Sequence, residues 1–204
     1  GFLRTAEDYE VVLKVLGKRK SKNMWLEALR VWEDMRSGSL APGIEHFNHM
    51  ISAYRFGGQW ERALAAFQEA LSGGAEVNVR TFLPLIGACG EDNQWQRSLD
   101  LLGEMARRGV APSLASYSAA ISACEKSAVW EKAVALLGQA IDEGLEPDVR
   151  VYTAAIGACQ KGQVDRVQEL LEDMWERSIS PNTFTYNAVI RAAGEAGKWR
   201  EALE

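Results

Sequence analysis

The stretch QWERALAAF at residues 59–67 returns as QWQRSLDLL at 94–102 and as VWEKAVALL at 129–137. Trp25, Trp60, Trp95 and Trp130 stand 35 residues apart, and the next tryptophan in register, Trp199, follows 69 residues later, one period of 35 and one of 34. The skipped beat falls at Val164, in QVDRVQELL. A second ladder runs through HFNHMISAY (46–54), TFLPLIGAC (81–89), SYSAAISAC (116–124), VYTAAIGAC (151–159) and TYNAVIRAA (185–193). A third is the turn written LAPG, VAPS, LEPD and ISPN around Pro42, Pro112, Pro147 and Pro181. Self-similarity at a fixed period of this length marks an array of repeated units, and it constrains the fold more than any local motif.

Each period is helical twice. In YSAAISAC the apolar residues Tyr117, Ala120, Ile121 and Cys124 fall at i, i+3, i+4 and i+7, one face of a helix. Trp130, Ala133, Val134, Leu137 and Ile141 repeat the pattern in the second half. Polar or glycine-bearing breaks such as FGGQ separate the halves, and Gly74, Gly109 and Gly144 precede the proline turns as helix C-termini do. A helical hairpin of this kind cannot bury both faces alone, so the expected fold is all-α, a right-handed α-solenoid of stacked helix-turn-helix repeats of about 35 residues. The tryptophans are expected as core anchors at the start of each second helix, with Glu61, Arg62, Glu131 and Lys132 pointing outward. Cys89, Cys124 and Cys159 share the period, and equivalent positions on stacked helices are about 8–10 Å apart, too far for a disulfide. They are expected as small buried apolar residues.

The units run 6–43, 44–78, 79–113, 114–148, 149–182 and 183–204, the first with three extra residues in GKRKSKN and the sixth partial, as in a fragment or the ordered part of a longer chain. The sequence starts at Gly1 without a charged-then-apolar leader, so any targeting segment is expected to have been removed or to lie outside it. No apolar run reaches the ~20 residues of a membrane span.

The residues TFTYNAVIRAAGEAGKWREAL (183–203) and LEPDVRVYTAAIGACQKG (145–162) resemble the pentatricopeptide repeat family, whose units read approximately V-x-T-Y-N-x-L-I-x-A with a closing G-x-x-P-D. The tetratricopeptide family stacks similar hairpins at 34 residues but with another signature. The resemblance implies an organellar single-stranded RNA-binding protein of chloroplast or mitochondrion, one base per repeat, acting in transcript processing, stability or translation. It also implies that a base is read by the fifth residue of a unit together with its last, which lies beside the fifth in the turn to the next unit. The pairs are then Asn48 with Asn78 for a pyrimidine, cytosine over uracil, Ser118 with Asp148 for guanine, and Thr153 with Asn182 for adenine. Asn187 is the fifth residue of the partial sixth unit. The implied target is 5'-pyrimidine-N-G-A-3' across units two to five.

Several positions depart from that pattern. Unit three pairs Leu83 with Ser113 and places Pro84 beside it, tolerable near a first helical turn. Unit one pairs Glu10 with Gly43. The second position, an aliphatic wedge in the family, is Glu45, Arg80, Ala115, Arg150 and Phe184 in units two to six.

The net charge is −5 with a sequence pI near 5.3, the wrong sign for bulk attraction to nucleic acid. The deficit lies in the second helices of units one to five, whose formal charges total −7 against +1 for the first helices and exits of units two to six. The run Lys18, Arg19, Lys20 and Lys22 reads as a solvated loop or a contact to the 5' end of an RNA. His46 and His49 share a helix face but have no third ligand nearby, so no metal and no cofactor is expected, and the two read as polar groove residues. Neither the H-x-E with P-C-x-x-C of a zinc deaminase nor an acidic cluster outside the repeat is present, and an enzyme is not expected. The alternative to an RNA binder is a structural subunit whose solenoid holds protein partners in a large organellar assembly.

Overall fold

The computed structural model describes residues 5–18, 23–159 and 163–195. Arg19, Lys20 and Lys22 of the basic run, and Trp199, lie outside the described residues. The first helices of successive units are α1 (Ala6–Lys18), α3 (Ile44–Phe56), α5 (Val79–Glu91), α7 (Leu114–Lys126), α9 (Val149–Ala158) and α11 (Thr183–Glu195). The second helices are α2 (Met24–Ser37), α4 (Trp60–Ser72), α6 (Trp95–Arg107), α8 (Trp130–Asp142) and α10 (Val164–Glu176). Val164, in the place where a tryptophan is skipped, opens α10 and is buried.

One device closes most of these helices. A residue with positive φ follows the helix, and the amide after it reaches back five residues, as Ala75 N–H does to the Ala70 carbonyl, Val110 to Met105 and Leu145 to Ala140. This satisfies carbonyls that a helix end leaves unpaired, and the left-handed residue favours glycine. Gly74, Gly109 and Gly144 supply it after second helices. Between the helices of a unit it is Gly58, Asn93 and Ala128, the last at φ 53°.

Stacking is asymmetric. First helices contact first helices of neighbouring units from α1 to α11, and each second helix packs on its own first helix and on the next one; second helices do not contact one another by backbone proximity. The reason is side-chain size. The first-helix interfaces carry Ala53, Ala88, Ala123, Ala158 and the three cysteines, all buried, and a Cβ on Gly17 would come within 2.7 Å of the His49 carbonyl oxygen on α3. The outer layer is spaced by tryptophan and arginine. The face formed by the first helices is therefore the concave one, and this solenoid has no strand among the described residues.

Arg62 is exposed on the outer layer, as expected, and its guanidinium lies 5.0 Å from the ring centre of Trp25 in the preceding unit. Arg97 over Trp60 at 4.9 Å and Arg166 over Trp130 at 5.9 Å repeat the contact. Such pairs contribute about 0.5–1 kcal/mol when exposed. Trp25, Trp60 and Trp130 are half-buried, held between the core below and a cation above, rather than enclosed. Pro84 sits in the second turn of α5, past the first, and is buried. Its missing N–H leaves the carbonyl of exposed Arg80 without its helical partner, at a place water can reach. The cysteines are free and buried, and burial pushes their thiols up to about 11.

Ala128→Gly relieves a left-handed alanine and is expected to stabilise the chain by about 1 kcal/mol in urea unfolding, whereas Gly109→Ala destabilises by a similar amount. No gain from Ala128→Gly would mean that the turn holds alanine without strain.

Candidate nucleic-acid interface

The concave face is built by the N-terminal turns of the first helices. The last residue of each unit is the N-cap of the next first helix, in extended conformation: Gly43, Asn78, Ser113 and Asp148. An N-cap side chain accepts from the second or third amide of the helix, which fixes one of its atoms before any ligand arrives. Asn78 Oδ1 accepts from Arg80 N–H at 2.9 Å, and Asp148 Oδ1 from Arg150 and Val151 N–H at 3.0 and 3.1 Å. Ser113 Oγ accepts from Ser116 N–H at 3.3 Å, and Asn182 Oδ1 from Thr185 N–H at 3.0 Å. Because an amide oxygen must face the donor, the Nδ2 groups of Asn78 and Asn182 are the atoms left over; both residues are exposed.

The third residue of the following unit joins this cap to the fifth residue of the unit before. Thr81 Oγ1 accepts from Asn78 N–H at 3.3 Å and donates to Asn48 Oδ1 at 2.7 Å. Thr185 Oγ1 accepts from Asn182 N–H at 3.2 Å and lies 2.7 Å from Thr153 Oγ1. Asn48 with Asn78 and Thr153 with Asn182 are thus brought together through a buried threonine hydroxyl. Ser118 and Asp148 have no such bridge, since Val151 takes the third position. Sequence reasoning missed these threonines, although the N-cap to N3 spacing in Asn78-x-x-Thr81 and Asn182-x-x-Thr185 carries the signal.

The fifth residues differ in exposure. Ser118 and Thr153 are half-buried, Asn187 is exposed, and Leu83 is half-buried, giving unit three an apolar patch. Asn48 is only 3% exposed, and its Nδ2 has no partner among the described residues. A groove of about 570 Å³ runs along α5, α7 and the start of α9, lined among others by Leu83, Ser118, Ser122, Lys126 and Arg150.

Cations on this face are largely neutralised. Arg80 pairs with Glu45 at 3.1 Å, Arg55 with Glu91 at 2.8 Å, and Arg150 with Asp148 Oδ2 at 2.9 Å. Burial works to raise the pKa of Asp148, but the Arg150 guanidinium and the two capping amides outweigh it and hold the carboxyl below its ordinary value. Lys126 has no ion-pair partner among the described residues. Phe184, at the second position of unit six, is 75% exposed.

The histidines are not groove residues, which corrects the expectation. Both are buried. His46 Nδ1 accepts from Gly43 N–H at 3.2 Å and Nε2 donates to the Ala6 carbonyl at 2.9 Å, so neither ring nitrogen is free to bind a metal. Burial lowers the pKa of His49. No group of three or more metal-ligating side chains occurs among the described residues, and no described helix is long and apolar enough to cross a membrane.

A pentatricopeptide repeat domain model matches residues 65–127 and 135–196, and a PPR repeat model matches 45–74. Among solved structures, the chain is similar to the pentatricopeptide repeat protein PPR10 in complex with an 18-nucleotide psaJ RNA element, at 28% identity and a TM-score of 0.72, covering all of this chain and 28% of that one. The crystal structure of PPR10 from maize matches at 26% identity and a TM-score of 0.71, over all of this chain and 29% of that one. This chain therefore spans under a third of PPR10. The PPR domain of Arabidopsis thaliana protein-only RNase P 1, in complex with tRNA, shares the fold at 17% identity and a TM-score of 0.74, over 95% of this chain and 99% of that one. No curated protein matches the sequence.

Thr81→Val leaves the buried Asn48 Oδ1 without a donor and is expected to cost about 1–3 kcal/mol in denaturant unfolding, with Thr81→Ser close to the parent. Equal stability of Thr81→Val and the parent would mean that the bridge does not hold the pair.

Proposed function

Because the chain belongs to the pentatricopeptide repeat family, we propose that it binds single-stranded RNA along the face of its first helices, one base facing one repeat. The observation that carries this proposal is the joining of Thr153 to Asn182, and of Asn48 to Asn78, through a buried threonine. A reader of bases needs its polar atoms fixed before the base arrives, since an unpaired edge discriminates only if the alternative partner cannot move.

The leftover atoms match particular bases. Asn182 has its oxygen engaged and its Nδ2 free, a donor for N1 of adenine. Asn78 presents Nδ2 and Asn48 carries a second, buried one beside it; once Asn48 is uncovered the two are donors for O2 and for N3, which is an acceptor in cytosine and a donor in uracil. Ser118 with Asp148 offers oxygen acceptors to the donor edge of guanine, provided Arg150 yields Oδ2. Asn187 is available to a further base at unit six. The target in this reading is 5'-pyrimidine-N-G-A-3'. The near-neutral groove limits phosphate contacts, so affinity rests on bases more than on charge, with a shallow salt dependence of about 0.7 per neutralised phosphate.

Maize PPR10 and the RNase P domain with their RNA partners support RNA over protein as the occupant. We extend the proposal to transcript processing, stability or translation in a chloroplast or mitochondrion, with the repeats described here binding RNA rather than acting on it. Fluorescence anisotropy with a labelled RNA containing C-N-G-A against the same RNA with G and A exchanged tests it. We expect roughly tenfold preference for the first, lost in the double variant Ser118→Ala, Asp148→Ala. Equal or undetectable binding of both RNAs at moderate salt would overturn RNA reading and favour a protein partner in a large assembly.

A further inference from the structure

The buried amide of Asn48 is the anomaly of the concave face. Elsewhere the fifth residue is half-buried or exposed, as at Leu83, Ser118, Thr153 and Asn187. Asn48 is 3% exposed, its oxygen is held by Thr81, and its Nδ2 meets neither protein nor solvent. A buried donor without an acceptor is costly and rare. Such a group is retained only where something holds the surroundings closed or where an acceptor arrives from outside.

Glu45 and Arg80 occupy the second positions of units two and three, where the family has an aliphatic side chain. They are joined by both oxygens and both terminal nitrogens, Nη1 to Oε1 at 3.2 Å and Nη2 to Oε2 at 3.1 Å. Glu45 stands three residues before Asn48 on α3, on the same helix face one turn away. Arg80 adjoins Thr81, which holds the Asn48 oxygen. The bidentate pair thus joins a residue one helical turn from Asn48 to the chain neighbour of Thr81, and it ties unit two to unit three. No other neighbouring units are barred in this way among the described residues: Ala115 has no charge, Arg150 turns to Asp148 at the cap of its own helix, and Phe184 is open.

We propose that the Glu45–Arg80 ion pair is a latch that shuts the cytosine-reading pair of unit two, so that this chain discriminates bases through units four and five and not through unit two. The latch rests on the RNA-reading proposal above. Glu45 is then a specificity-determining residue that acts by exclusion. An incoming phosphate could take Arg80, but it would leave the Glu45 carboxylate unpaired beside a polyanion, which keeps the pair shut. Loss of the Glu45 charge releases Arg80 to the RNA backbone and opens Asn48 to a base.

Anisotropy titrations with RNAs containing C-N-G-A, A-N-G-A and C-N-A-G, on the parent chain, Glu45→Gln, and Glu45→Gln with Asn48→Ser, test this. The parent is expected to bind C-N-G-A and A-N-G-A alike within about twofold while disfavouring C-N-A-G. Glu45→Gln is expected to prefer C-N-G-A over A-N-G-A by about tenfold, with a salt slope steeper by about 0.7, and the added Asn48→Ser change to abolish that preference. Base preference at the first position already in the parent overturns the latch. So does the absence of any such preference in Glu45→Gln while the G-A order is still read. Indifference of every variant to the G-A order removes RNA reading itself, and the latch falls with it.

Discussion

Each hairpin of this chain has two apolar faces and only one partner helix of its own. Every other consequence follows from that shortage. The uncovered face of each first helix must be taken by the next unit, and it is taken at close range because the contact is made of alanine, glycine and cysteine. The core is accordingly one continuous cluster from Leu13 to Ala192 rather than a set of separate ones. Stability in such an array is a sum of unit and nearest-neighbour terms, so a damaged unit weakens chiefly the two interfaces it makes.

The same stacking creates the interface. Successive first helices present their N-terminal turns side by side, and the residue that caps one helix is necessarily adjacent to the fifth residue of the unit before. Capping and base recognition therefore fall on one side chain. The cap fixes an oxygen on a backbone amide, and the atom that remains sets which base edge can be met. Where the third position is threonine the pair is locked, and where it is valine, as at Val151, the carboxylate is instead held by an arginine. Two units with the same architecture are prepared differently by a single internal residue.

Much of this was legible in the sequence. The period, the two helices per unit and their starts came from spacing alone, because burial at fixed intervals leaves a period that no loop composition can hide. The cysteines and alanines could be assigned to the core on the same ground. What could not be seen was anything decided by one side chain reaching across to the next unit. Arg62 looks solvated in its own helix and lies on Trp25 only because 37 residues of period and turn bring it there. His46 and His49 look like groove residues until α1 covers them. Asn48 has the identity of a reader, yet it is buried and its oxygen is held by Thr81 of the next unit, which no single-unit pattern includes.

The asymmetry between the layers has a mechanical side. The first helices are in direct contact with little side-chain material between them, whereas the second helices meet through long, half-exposed side chains, the tryptophan–arginine pairs and the Arg36–Glu69 ion pair. A planar guanidinium can slide across an indole face with small change in energy, but an alanine in a close-packed seam cannot move without opening a void. The chain is thus inextensible along its inner edge and compliant along its outer one, like a leaf spring clamped on one side. Bending changes the spread of the outer helices and leaves the spacing of the inner row, and of whatever is aligned with it, nearly constant.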